Sequence, residues 1–151
     1  VEGDWYYFSK EDGMKTGWVK DGSWYYLDET GVMKTGWKQV DGSWYYLNGS
    51  GAMETGWQKV GGVWYYLNGS GAMQTGWKLL DGNWYYLNTS GAMQTGWLNQ
   101  GGTWYYLDGS GAMKTGWYQV GGKWYYSYSS GALAVNTTIN GYYVNANGEW
   151  V

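Results

Sequence analysis

Cysteine, histidine and proline are absent from the 151 residues, arginine is absent as well, and phenylalanine occurs once. Without cysteine there is no disulfide and no thiolate chemistry, and without histidine the commonest general base and metal ligand is missing. These absences argue against an enzyme, and neither a cofactor nor a metal site is expected. All nine basic residues are lysine, against twelve acidic ones, for a net charge of −3. No basic stripe exists of the kind that tracks a phosphate backbone, so nucleic acid is not an expected partner. No apolar run reaches transmembrane length, and membrane insertion is not expected. The first ten residues, VEGDWYYFSK, carry no signal-peptide pattern and start inside a repeat, so the chain reads as an excised or mature part of something longer.

What is present is aromatic and glycine-rich. Aromatics make up 22% of the chain, as 14 Trp and 18 Tyr beside the single Phe, with 28 Gly. Nearly every ring therefore carries an N–H or O–H that needs a partner when buried, which suits half-exposed surfaces better than a sealed core.

The rings recur in register. WYY begins at Trp5, Trp24, Trp44, Trp64, Trp84, Trp104 and Trp124, and TGW places its Trp at Trp18, Trp37, Trp57, Trp77, Trp97 and Trp117. From Trp24 onward the first series keeps a spacing of 20, which marks a repeat array. In one unit, WKQVDGSWYYLNGSGAMETG, Trp37 to Val40 predicts a strand, Asp41-Gly42 a two-residue hairpin turn and Ser43 to Leu47 a second strand. NGSGAMETG is then a connector. A lone hairpin is marginal in water, so the expected fold is all-β, a solenoid of stacked hairpins of about 20 residues each. The expected organisation is a partial repeat over 1–17, tandem hairpin repeats over 18–133 and a degenerate capping repeat over 134–151.

A two-residue turn pairs Val40 with Ser43, Gln39 with Trp44 and Trp37 with Tyr46. Strand alternation then puts Trp37, Trp44 and Tyr46 on one face, and Val40, Tyr45 and Leu47 on the other. The second face reads as packing. The first has three electron-rich rings without an aliphatic side chain to fill their gaps, and one Met accompanies it per unit (Met33, Met53, Met73, Met93, Met113). Three rings around a gap suit a quaternary ammonium ion held by cation–π attraction, at about 0.5–2 kcal/mol per ring. A cage worth roughly 4 kcal/mol corresponds to a dissociation constant near 1 mM. Several such cages on one support meeting a repeating polymer would bind firmly through effective concentration.

TGWKQVDGSWYYLNGSGAM and its copies resemble the choline-binding repeats of pneumococcal surface proteins and cell-wall lytic enzymes, over essentially the whole chain. The ending SGALAVNTTINGYYVNANGEWV is similar to that of surface antigens such as pneumococcal surface protein A. The resemblance implies a left-handed superhelix of hairpins holding choline between consecutive units. The implied ligand is the phosphocholine of teichoic and lipoteichoic acids, and the implied role is non-covalent attachment of a parent protein to the bacterial surface. Each implied site joins the TGW Trp and WYY Trp of one repeat to the second Tyr of the next WYY and a nearby Met. In this chain these are Trp37, Trp44, Tyr66 and Met73; Trp57, Trp64, Tyr86 and Met93; Trp77, Trp84, Tyr106 and Met113; and Trp97, Trp104 and Tyr126 with Leu133 in the Met position.

The ends depart from the pattern. Trp18 to Trp24 spans six positions where Trp37 to Trp44 spans seven, so the site of Trp18, Trp24, Tyr46 and Met53 needs a different turn or a bulge. Trp5 and Tyr26 could form only a partial cage. Thr137 falls where the next TGW Trp would stand and Gly141 where the WYY Trp would, so a final site of Trp117, Trp124 and Tyr143 is the last expected. The rival reading is a glucan-binding repeat, whose rings stack on sugar faces, although the hydroxyl-gripping Asp, Asn or Arg of such sites are few on the ring-bearing face. Acidic residues sit mostly in turns (Asp21, Asp41, Asp81), as turn chemistry explains, and Lys38, Lys59, Lys78 and Lys114 read as solvated. The sequence leaves open a phosphate contact by a lysine and pairing into a homodimer.

Overall fold

The computed structural model describes residues 5–6, 8–9 and 13–151. Of the expected partial repeat over 1–17, residues 1–4, 7 and 10–12 lie outside them. The chain divides into two compact units, 1–74 and 75–151.

The described residues fold as antiparallel pairs. Full-length hairpins are Gly17–Asp21 with Ser23–Leu27, Gly36–Val40 with Ser43–Leu47, and Gly56–Val60 with Val63–Leu67 in the first unit. The second unit has Gly76–Leu80 with Asn83–Leu87, Gly96–Gln100 with Thr103–Leu107, and Gly116–Val120 with Lys123–Ser127, then the shorter Thr137–Ile139 with Tyr142–Val144. Among the described residues every sheet is two-stranded, so these hairpins do not gain stability by widening a sheet.

The expected register holds: Trp37 faces Tyr46, Gln39 faces Trp44 and Val40 faces Ser43. The turn that sets it has Asp41 at φ 51° and Gly42 at φ 85°. Both central residues of a type I′ turn need positive φ, which Gly adopts freely and Asp tolerates, and this turn's twist matches the flanking strands.

Connectors are built around one side-chain acceptor. The Asn48 Oδ1 accepts from the backbone N–H of Ser50 and of Ala52 and from the Ser50 hydroxyl, at 2.7–3.1 Å. Asn68 and Asn88 repeat the arrangement, and Asp28 and Asp108 do so with a carboxylate. The loop then returns so that Met53 bridges Leu47.

Each hairpin contributes one sealed residue. Leu27, Leu47, Leu67, Leu87 and Leu107 are at most 1% exposed, worth about 2–3 kcal/mol each as an upper figure. The next member of the series is Ser127, equally buried, and Tyr118 fills the space that a leucine would occupy. The two hydroxyls are 2.6 Å apart, so the polar substitution is satisfied within the core.

Neighbouring hairpins within a unit are joined through the backbone. The N–H of Met53 donates to the carbonyl of Trp24 at 2.7 Å, and that of Met73 to Trp44 at 2.8 Å. Met113 is tied to Trp84, Leu133 to Trp104 and Trp150 to Trp124 in the same way.

Candidate functional site: aromatic cages between hairpins

Alternation gives each hairpin two faces. One carries Trp37, Trp44 and Tyr46, as read from the sequence; the other carries Tyr45 and the buried Leu47. On the first face, Trp37 meets Tyr46 edge-on with ring centroids 5.1 Å apart. Stacking in this direction opposes unlike faces, so Trp18 of one hairpin receives Tyr45 of the next at 4.9 Å.

The rings group differently from the expected sets. Tyr46, Tyr66, Tyr106 and Tyr126 do not reach back to the preceding unit; each lies against the TGW Trp of its own hairpin, at 4.9–5.2 Å. The ring that reaches back is the first Tyr of the triplet: Tyr45 to Trp18, Tyr65 to Trp37, Tyr105 to Trp77 and Tyr125 to Trp97, at 4.9–5.1 Å. The reason is parity. A ring sharing a face with its own hairpin's tryptophans points away from the hairpin before it, and only the opposite face meets that neighbour. Tyr86 likewise lies on Trp77 of its own hairpin, at 5.1 Å.

Among the described residues, cavities of one kind follow from this arrangement. Trp18, Trp24, Tyr45 and Met53, with Gly69 and Ser70 at the rim, surround about 290 Å³. Trp77, Trp84, Tyr105 and Met113, with Ser129 and Ser130, surround about 350 Å³. Trp97, Trp104, Tyr125 and Leu133, with Val135, Ala146 and Asn147, surround about 310 Å³. Trp117, Trp124, Tyr142 and Trp150 line a further cavity of about 350 Å³. Trp37, Trp44 and Met73 keep the same relations, with Tyr65 on Trp37 and the Met73 N–H on the Trp44 carbonyl. Trp57 and Trp64 stand at 6.4 Å and 85° in the first unit, while Tyr86 and Met93 belong to the second.

The short Trp18 to Trp24 spacing is absorbed without a bulge. Asp21 pairs with Ser23 around Gly22 alone, so Trp18 still faces Tyr26 and Lys20 still faces Trp24. The deletion is confined to the turn, where Gly22 sits at φ 77°, and the strands keep their parity. Trp5 is tied through its carbonyl to the Met33 N–H at 2.7 Å, and Tyr26 lies on Trp18 rather than beside Trp5.

At the far end the expected Tyr143 gives way to Tyr142, which meets Trp117 at 6.0 Å. Thr138, not Thr137, occupies the TGW Trp position, since it faces Tyr143 as Trp37 faces Tyr46. Trp150 was not anticipated, although the signal is legible: NANGEW aligns with NGSGAM, putting Trp150 on the Met53 position. The Asn145 Oδ1 accepts from the N–H of Asn147 and of Glu149, as Asn48 does from Ser50 and Ala52.

The tryptophans of the WYY triplet are uniform in one respect. Trp24, Trp44, Trp64, Trp84, Trp104 and Trp124 are each 39–43% exposed, far more than a packed indole. In two of the cages the indoles are nearly perpendicular, 6.5 Å apart at 88° for Trp18 and Trp24 and 6.5 Å at 85° for Trp97 and Trp104. Ring faces of negative potential thus line the gap, and no carboxylate lines the four cavities. Burial, with the nearby Glu149 charge, holds the Tyr125 phenol above its usual pKa and hence neutral. The rings attract cations already: Lys20 Nζ lies 5.9 Å from the Trp24 ring and Lys59 Nζ 6.0 Å from Trp64. Among the described residues no group of acidic side chains could hold a metal ion, and no helix is long and apolar enough to cross a membrane.

The choline-binding repeat model matches residues 34–74 and 74–115, and the putative cell wall binding repeat model matches 1–13, 16–33 and 115–133. The chain belongs to the choline-binding repeat family. Among solved structures it is similar to CbpJ of Streptococcus pneumoniae TIGR4, at 55% identity and TM-score 0.96, over 100% of this chain and 56% of that one. Choline binding protein F of Streptococcus pneumoniae matches at 55% identity and TM-score 0.95, over 100% of this chain and 55% of that one. The choline-binding domain of CbpL from Streptococcus pneumoniae matches at 30% identity and TM-score 0.66, over 100% and 94% respectively. The chain thus spans just over half the length of the first two. No curated sequence matches it significantly.

Proposed function

We propose that the chain is a non-catalytic attachment module whose cages hold the trimethylammonium head of choline or phosphocholine. The observation that carries this reading is the recurrence of one geometry, in which Trp18, Trp24, Tyr45 and Met53 enclose a half-open aromatic gap and later repeats reproduce it. Perpendicular π-faces with a soft thioether fit a large, weakly hydrated cation that donates no hydrogen bonds.

Each cage alone is weak, so the repetition favours a polymer that presents the same head many times. Choline-decorated teichoic and lipoteichoic acids are such polymers, which would place the module outside the cell, on a bacterial wall. The carboxylates support a non-catalytic role. Asp41 and Asp81 occupy positive-φ turn positions, and Asp28 and Asp108 organise connectors. A catalytic activity of the parent protein would reside outside this chain.

Titration of the tryptophan fluorescence with choline and, separately, with a glucan oligomer tests the assignment. Saturation by millimolar choline with no response to the glucan is expected. The opposite pattern would replace this reading with carbohydrate binding.

A further inference from the structure

The cavity lined by Trp117, Trp124, Tyr142 and Trp150 differs from the others in two measurable ways. Its fourth wall is an indole, where the other cages have Met53, Met113 or Leu133. Its Trp-to-Tyr wall is also wider: Trp117 and Tyr142 are 6.0 Å apart, against 4.9–5.1 Å for the corresponding pairs in the other cages. Trp150 braces the widened wall, meeting Tyr142 edge-on at 5.8 Å and 80°. Its backbone is fixed by the N–H bond to the Trp124 carbonyl at 2.9 Å.

We propose that this terminal cage is a selectivity site, taking quaternary ammonium heads bulkier than trimethylammonium in preference to the internal cages. The proposal rests on the reading of the cages as quaternary-ammonium sites and adds a difference between them. The enclosed volume, about 350 Å³, equals that of the Trp77 cage, so the difference lies in the walls: an ethyl-substituted head has more surface to lay against the added indole than a trimethyl head has. The added indole face supplies cation–π attraction that a thioether or an aliphatic side chain cannot. Trp150 is 46% exposed, so its ring remains accessible to the occupant.

The test uses the full chain with ¹⁵N-labelled indoles, titrated by NMR with tetramethylammonium and with tetraethylammonium, a pair of equal charge and different bulk. The indole signals of Trp117, Trp124 and Trp150 are expected to respond to tetraethylammonium at a concentration about fivefold lower than those of Trp77, Trp84, Trp97 and Trp104. Trp150→Met and Trp150→Leu install the residues that the other cages already carry at this position and are expected to bring the two sets within about twofold. Equal response of the two sets in the wild-type chain would overturn the proposal, as would persistence of the difference in both variants. If tetramethylammonium moves the internal indoles but the preference is absent, only this inference fails. If neither ion moves any indole, the cation-cage reading fails with it.

Discussion

Tyr45 stands edge-on to Trp18 with ring centroids 4.9 Å apart, although the two belong to different hairpins. Its chain neighbour Tyr46 turns the other way, onto Trp37 of its own hairpin. One triplet thus divides its tyrosines between two tasks, one closing the cage behind it and one bracing the hairpin it belongs to.

That division predicts unlike outcomes for adjacent substitutions. Tyr45→Leu removes one wall of the Trp18 and Trp24 cage and is expected to weaken choline at that site by about tenfold. Tyr46→Leu is expected to lower stability by about 0.5–1.5 kcal/mol through loss of the Trp37 edge contact, with the Trp18 cage retained. Calorimetric choline titration beside thermal unfolding separates the two.

Much of this was legible in the sequence because period and parity are simple. The 20-residue spacing, the Asp41-Gly42 turn and the pairing of Trp37 with Tyr46 follow from turn chemistry and from alternation along a strand. The placement of Tyr45 was less accessible, since register within a hairpin says nothing of which face the next hairpin covers. The Trp18 hairpin turned on whether a missing residue falls in a strand or a turn, and only the backbone shows Gly22 alone at the bend. Trp150 was hidden by chemistry, since an indole stands where the pattern has a thioether.

A glycine in the connector controls a cage wall. A Cβ at Gly71, which has φ 88°, would land on the thioether of Met53, a lining residue of the Trp18 cage. Gly71→Ala is expected to cost about 1–2 kcal/mol for the left-handed backbone and, by displacing Met53, to weaken choline in that cage. Unfolding and titration of the variant should show both losses; a stability loss with unchanged affinity would detach Met53 from the site.

The connector carboxylates predict an acid limb. The Thr30 hydroxyl, with backbone N–H groups and Lys34, lowers the Asp28 pKa. At Asp108 burial pushes upward but is outweighed by the Ser110 hydroxyl, the N–H groups of Ser110 and Ala112 and Lys114. A folded pKa below the unfolded value of 3.8 adds stability that is complete above that value and is lost as pH falls through the folded pKa. Melting temperature should therefore drop below about pH 4. Asp28→Asn with Asp108→Asn, which installs the residue that Asn48 already supplies, should flatten that part of the curve.

Tyr118 and Ser127 form a compensated pair. Burial raises the Tyr118 pKa, with the Ser127 hydroxyl acting in the opposite direction, so the phenol stays protonated and bonded in the core. Ser127→Leu alone should cost about 1–3 kcal/mol by overpacking against Tyr118. Tyr118→Leu with Ser127→Leu, which installs the residues that Leu98 and the sealed Leu107 supply in the preceding hairpin, should cost less than the sum of the single changes. A double-mutant cycle in denaturant measures the coupling.

The central claim is that the cages between hairpins are the ligand sites. A crystal structure of the chain at saturating choline tests it most directly. The account predicts trimethylammonium density enclosed by Trp18, Trp24, Tyr45 and Met53, and equivalent density among Trp77, Trp84, Tyr105 and Met113. Empty cages at saturation, or choline density only outside them, would contradict it.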